Sequence, residues 1–273
     1  MSSVTPRYGS VDDAYARRML ATAPEDDGPV WMVNLMSYRP VAQYADGRET
    51  TLTGREADDL YSPLEVLAAI GAEPVFFADV DAQLLGTAPA WHRVAVVKYP
   101  TRRSFVEMQQ RPDFQDKHAH KDAGMAETII TACLPIPSPQ DDVDLATVPD
   151  WSQVPHPPTD EDGPVTVLHL IRFHPGQADQ EMVSYQNHAA DVAVPHGVRI
   201  SGWFGVEGTI VGDGRSWDQA RFNAFPSKAA FLDVVMDPAR LEAQRAHREV
   251  AIADTYTLIL RPHLDRLAAS TGR

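Results

Sequence analysis

The sequence predicts an α+β chain made of two tandem β-α-β-β-α-β modules, and three observations carry that reading. A strand-like stretch occurs twice, as Gly28-Pro-Val-Trp-Met-Val-Asn34-Leu-Met-Ser-Tyr-Arg-Pro40 and as Gly163-Pro-Val-Thr-Val-Leu-His169-Leu-Ile-Arg-Phe-His-Pro175. Residues 71–134 and 197–260 align without a gap: Gly71 meets Gly197, Gly86 meets Gly212, Trp91 meets Trp217, Phe105 meets Phe231 and Pro112 meets Pro238. Matching glycines mark turns and matching aromatics mark core anchors, which is the signature of a duplicated unit. Between the copies lies a Pro- and Asp-rich stretch that disfavours helix and reads as a semi-rigid strap.

The elements follow in order. Residues 1–27 read as an N-terminal helical extension, with Ser10 as cap and Val11, Tyr15 and Met19 on one side. The first module, 28–135, opens with a strand over Val30–Tyr38. A polar surplus at Ala45–Asp59, absent from the second copy, is either a lid or a surface insertion, and a helix over Tyr61–Ile70 ends at Gly71. Strands follow over Val75–Leu85 and Trp91–Tyr99. Thr101 caps a helix, Pro112 breaks it, a second helical piece runs over Gln115–Met125, and Thr128–Leu134 closes the module. The linker spans 136–162, the second module 163–262 and a tail 263–273. This order is the ferredoxin-like plan.

At 273 residues, 44% hydrophobic and 23% charged, the chain has the makeup of a globular protein with a substantial core. A formal charge of −14 argues against nucleic acid and anionic membranes as partners, which leaves a small molecule. One cysteine, Cys133, excludes an internal disulfide and fits a reducing compartment, and no run is long enough to span a bilayer; a cytoplasmic location is expected. Neither a phosphate loop, a nucleophile elbow nor a zinc spacing occurs.

The repeated Trp-x7-Phe/Tyr-Pro-Ser/Thr, followed by Phe and Pro, resembles the domain of unknown function 1330, as does the Tyr185 region running into Pro195-His-Gly197. The resemblance covers about 28–135 and 163–262. It implies the dimeric α/β-barrel superfamily, in which two ferredoxin-like units pack sheet to sheet. Here the two halves would form that barrel within one chain, as a pseudo-dimer that is itself a monomer or a homodimer. Relatives in that superfamily include cofactor-free monooxygenases, isomerases, polyketide cyclases and haem proteins.

Side chains alternate along a strand, so each strand divides into two sets. If the helix-covered face must be apolar, the polar set reports the barrel interior. That logic turns His169, Ile171, Phe173, Arg221, Asn223 and Phe225 inward in the second copy. It places Met32, Asn34, Met36, Ala95, Val97 and Tyr99 on the opposing wall, with Phe77 and Trp203 added from the second strands. His169 is then the candidate general base, and Arg221 with Asn223 the candidates for steadying an enolate or oxyanion. The bland alternative pairs Arg221 with Asp79, Asp218 or Glu207. His118 and His120, two apart on a helix, point in different directions and are expected to pair with Asp122 and Asp116 on the surface; no metal is expected. His188 and Asp191, a turn and two turns beyond Tyr185, are read as exposed helix.

The function expected is therefore a cofactor-independent enzyme of cyclase, isomerase or monooxygenase type. Its substrate is a small apolar, aromatic or polyketide-like compound held in a single pocket mainly of the second module. The alternatives are a haem enzyme with a barrel histidine as axial ligand and a non-catalytic small-molecule-binding protein.

Overall fold

Strand alternation closes on itself in space. In the computed structural model, which describes residues 6–141, 148–176, 192–243 and 249–272, the strands are β1 (Ser10–Val11), β2 (Val30–Tyr38), β3 (Glu73–Leu85), β4 (Arg93–Tyr99), β5 (Met125–Pro135), β6 (Val165–Phe173), β7 (Arg199–Gly212), β8 (Gln219–Phe225) and β9 (Ile252–Asp265). Their order is β1-β7-β5-β2-β4-β3-β9-β6-β8, and a further β7–β8 pairing closes eight of them into an antiparallel barrel. The first half contributes β5-β2-β4-β3 and the second β9-β6-β8-β7, joined along the β3–β9 and β5–β7 seams. Closure leaves no free edge in the ring.

The helices are α1 (Asp13–Ala21), α2 (Gly54–Tyr61), α3 (Leu64–Ala69), α4 (Arg102–Met108), α5 (Pro112–Gly124), α6 (Lys228–Met236), α7 (Pro238–Ala243), α8 (Glu249–Ala251) and α9 (Leu267–Thr271). Thr101 and Ser227, at matching positions, cap α4 and α6 through their side chains. Gly71 and Gly197 both adopt positive φ, at 72° and 74°, so each stands at a turn that favours glycine.

Several local expectations change. Asp12, not Ser10, caps α1 by accepting the Tyr15 N–H at 2.8 Å, because Ser10 and Val11 are drawn into pairing with β7. The expected helix over Tyr61–Ile70 is two helices with Pro63 between them, and the first begins at Gly54, inside the polar surplus. Thr53 and Glu56 supply its capping box. Gly54 lies against Gly124 so closely that a Cβ at Gly54 would stand 2.3 Å from the Gly124 carbonyl, and this docks α2 on α5. The segment after residue 262 is no tail. β9 runs on to Asp265, and α9 then sets Leu267, fully buried, into one end of the barrel.

The largest revision concerns which face points inward. Trp31, Val33 and Leu35 of β2 share the lumen with Phe76, Val94, Val96, Leu168, Leu170, Phe204, Phe222, Leu258 and Leu260, drawn from both halves. Trp91 and Trp217, the repeated tryptophans, both pack on Tyr256 there at 5.5 Å. Met32, Met36 and Tyr99 instead join Phe105, Met108 and Phe114 of the helices. The alternating sets read from the sequence hold, but their faces are exchanged. Closure shuts water out of the lumen, so the more apolar set fills it, with Thr131 there bonded to Cys133 at 3.3 Å. Helices laid over the outer face leave uneven space, and polar side chains find partners there.

Candidate functional site

The first half carries a cavity of about 980 Å³ between the outer face of its sheet and the helices that cover it. Asn34 and Met36 of β2 and Ala95, Val97 and Tyr99 of β4 form its floor. Phe105 and Met108 of α4 and Phe114, His118 and Lys121 of α5 roof it, Tyr61, Leu64 and Leu67 wall one side, and Tyr8, Val11 and Ala16 another. The extension that opens the chain is thus part of the cavity wall.

Helical spacing explains the roof. Phe114, His118 and Lys121 stand at i, i+4 and i+7 on α5 and so share one face. His118 is not a surface residue paired with Asp122. Its Nε2 lies 2.8 Å from the Tyr8 hydroxyl, while Asp122 pairs with Arg7 at 2.6 Å. Burial, with the Lys121 charge nearby, pushes the His118 imidazole down to about 4, so it is neutral at physiological pH. His120 turns away and meets the Tyr44 hydroxyl through Nδ1 at 2.7 Å rather than Asp116. Burial raises the Tyr8, Tyr61 and Tyr99 hydroxyls far above the usual phenol value and holds the Lys121 ammonium below its usual one.

One end of the cavity is charged. Arg93, buried, lies 2.8 Å from Asp59 and 3.2 Å from Asp58, and its guanidinium covers the Phe77 ring at 4.7 Å. Asp58 also accepts from the Tyr38 hydroxyl at 2.7 Å. Asp79 lies 2.7 Å from Arg55 and 3.0 Å from the His263 imidazole, so it is not the partner of Arg221. Asn34 donates to the Met32 carbonyl at 2.9 Å, which directs its Nδ2 along the strand.

Of the residues read from the sequence, Asn34, Met36, Phe77 and Tyr99 line this cavity together with Ala95 and Val97. Met32 lies in the same outer apolar cluster without being part of the wall. His169, Arg221, Asn223, Ile171, Phe173, Trp203 and Phe225 belong to the second half. They lie on the outer face of its sheet, not in the lumen. Register places His169 directly opposite both Arg221 and Thr257, and Trp203 opposite Arg221. His169 Nδ1 is 3.1 Å from the Thr257 hydroxyl, and the Arg221 guanidinium lies over the Trp203 ring at 4.2 Å and the Phe173 ring at 5.9 Å. Arg221 Nε donates to the Gln219 side chain at 2.8 Å. Glu207 instead holds Arg102 and Tyr15, each at 2.8 Å, and Asp218 accepts from the Phe173 N–H at 2.7 Å. Phe225 packs on Phe231 of α6 at 5.2 Å. Tyr185, His188 and Asp191 fall outside the described residues.

Tyr8, Tyr61, His118 and Lys121 are missing from the residues expected from sequence. The i, i+4, i+7 spacing of Phe114, His118 and Lys121 was the available signal for two of them. Tyr8 gave none, since only tertiary contact brings the extension to α5.

No family model matches the chain, and no curated protein does. Among solved structures, a methylated protein of unknown function (RPA0582) is similar over 50% of this chain and 99% of its own, at 28% identity and a TM-score of 0.43. A second structure of RPA0582, from Rhodopseudomonas palustris, is similar over 48% of this chain and 98% of its own, at 25% identity and a TM-score of 0.42. An anthrone oxidase-like protein is similar over 89% of this chain and 97% of its own, at 13% identity and a TM-score of 0.51. A chlorite dismutase from Candidatus Nitrospira defluvii is similar over 94% of this chain and 99% of its own, at 12% identity and a TM-score of 0.49. The likeness to the anthrone oxidase-like protein shows the fold alone, an α+β chain whose eight antiparallel strands close into one barrel. No helix among the described residues is long and apolar enough to cross a membrane.

Proposed function

We propose that this protein is a cofactor-independent enzyme that acts on a small, largely apolar, aromatic or polyketide-like compound by general acid–base chemistry. The cavity of about 980 Å³ under α4 and α5 carries this reading: its lining is mostly apolar, with the Tyr8–His118 pair, Asn34 and Lys121 among its polar groups. Apolar bulk with few placed polar groups is what orients a small substrate. The neutral His118 imidazole takes up a proton from an acidic hydroxyl or an activated C–H, with the Tyr8 hydroxyl as its relay. Cyclisation, isomerisation and oxygen-dependent hydroxylation of an activated enol all begin with that step.

In the same reading the two halves are tandem ferredoxin-like units of the kind resembled by the domain of unknown function 1330. In support, the four strands of each half lie in the order fourth, first, third, second, and the matched glycines Gly71 and Gly197 share one conformation.

Ala95→Trp on the cavity floor tests the site. With 2-methylnaphthalene as a fluorescent probe, binding is expected to fall at least about tenfold while the melting temperature holds. Unchanged binding would remove the cavity from the proposal.

Haem fits this cavity poorly. His118 engages Tyr8 through Nε2 at 2.8 Å and His263 engages Asp79 through Nε2 at 3.0 Å, so neither imidazole turns that atom to a metal. Haemin addition that gives a Soret band lost in His118→Ala would reverse that conclusion. Probe binding without any product in a metabolite screen would favour a non-catalytic binding protein.

A second reading is favoured by the facing of His169 and Arg221 across adjacent strands, with Arg221 over Trp203. There His169 moves the proton and Arg221 with Asn223 steadies the anion. In that case His169→Ala abolishes turnover of an identified substrate with the fold intact, whereas His118→Ala leaves turnover near wild type.

A further inference from the structure

The chain's lysines are Lys98, Lys117, Lys121 and Lys228. Lys98 donates to the Ser270 carbonyl at 2.9 Å, Lys117 to the Ser62 carbonyl at 3.3 Å, and Lys228 pairs with Asp81 at 2.7 Å. Lys121 differs from all three. Its side chain is 8% exposed and lines the cavity, and its Nζ faces aromatic rings, with Tyr61 at 5.2 Å and Tyr8 at 5.8 Å. No carboxylate among the described residues lies within ion-pair distance of it. Asp58, whose charge reaches it, is already engaged by Tyr38 at 2.7 Å and Arg93 at 3.2 Å.

A buried ammonium with three donors and no acceptor is costly, whereas the free amine is tolerated. Burial accordingly holds Lys121 below its ordinary value. An anion anchor needs the charged form that this site disfavours; a nucleophile needs the lone pair that it favours.

We propose that Lys121 is a nucleophilic amine that condenses with the carbonyl of an apolar aromatic aldehyde or ketone bound in the cavity. The inference rests on the reading of that cavity as the substrate site. The Nζ lone pair forms the C–N bond as the C=O π pair moves to oxygen. A proton passes from nitrogen to that oxygen, and one further proton from solvent lets it leave as water. Amine, carbonyl and one proton thus give a protonated imine and water, with no change of oxidation state. Where the carbonyl carries a neighbouring C–H, the iminium nitrogen acidifies it, and His118, one turn earlier on the same face of α5 and lining the same cavity, is assigned to take up that proton.

The test uses the wild-type chain, so it does not depend on a variant folding. The protein is treated at pH 7 with limiting 2-naphthaldehyde and cyanoborohydride, which reduces the iminium carbon to a stable secondary amine, and labelled peptides are mapped by mass spectrometry. A lowered pKa leaves more of an amine free at pH 7, so Lys121 is expected to label ahead of Lys98, Lys117 and Lys228. Excess 2-methylnaphthalene should block that label. Binding of 2-methylnaphthalene with labelling only at other amines overturns the amine proposal and leaves the cavity reading standing. So does tighter binding of 2-naphthoate than of both neutral probes, which would make Lys121 an anion anchor. Failure of all three probes to bind removes the cavity reading and the amine with it.

Discussion

Leu35 and Met36 are consecutive residues of β2 that face opposite ways, and truncating each separates packed core from site. Leu35 is fully buried in the lumen, among side chains that cannot follow it inward. Leu35→Ala therefore loses the transfer free energy of the removed carbons and leaves a new void, a combined cost of about 4 kcal/mol. Met36 is also buried, but it already borders the cavity of about 980 Å³. Met36→Ala only enlarges existing space, so the cost is the transfer term alone, about 2 kcal/mol. For a chain of this size each kcal/mol moves the melting temperature by about 2 to 4 °C, so Leu35→Ala should melt about 4 to 8 °C below Met36→Ala. Urea titrations measure the difference directly. Binding of 2-methylnaphthalene supplies the second readout: Met36→Ala shifts its affinity, and Leu35→Ala leaves it unchanged while the chain is folded. Equal costs, or a binding defect in Leu35→Ala and none in Met36→Ala, would refute the assignment of lumen and cavity.

Two other consequences follow from local contacts. Hydrogen bonding from Arg102, against some burial, holds the Glu207 carboxyl below its ordinary value. A carboxylate with a lowered folded pKa stabilises above its unfolded pKa and loses that contribution as pH falls through the folded value. Glu207→Gln should therefore flatten the decline of melting temperature below about pH 5, and an unchanged acid slope would show that the α1–α4–β7 latch carries no stability. Gly124→Ala should cost about 3 kcal/mol, because its Cβ would stand 2.3 Å from the Gly54 carbonyl, a backbone atom that cannot swing aside. The same change lifts α2 from α5 and should weaken probe binding; a wild-type melting curve would show that the two helices separate freely.

Much of the fold was legible because its signals are local or repeated. The period-two alternation in β2 and β6, the caps at Thr101 and Ser227, and the positive-φ glycines 71 and 197 each follow from a few neighbouring residues. The division of every strand into two side-chain sets was legible for the same reason, and so was the adjacency of His169 and Arg221. Which set faces inward was not, because alternation is symmetric between faces and says nothing about what covers them. Of the cavity lining, only what a strand supplies was legible, as at Asn34, Met36 and Tyr99.

The amino-acid sequence alone determined the succession of strands and most of the helices, and the side chains that travel together. Tertiary structure alone decided that closure makes the lumen an apolar core, and that a cavity of about 980 Å³ lies between the first half's sheet and its helices. Closure does this physically: eight paired strands exclude water from the inside, so the apolar set is driven there and polar groups remain outside. It also brings Tyr8 to His118, 110 residues apart in the chain, and sets Lys121 against the rings of Tyr61 and Tyr8. Such contacts arise only when the elements pack together.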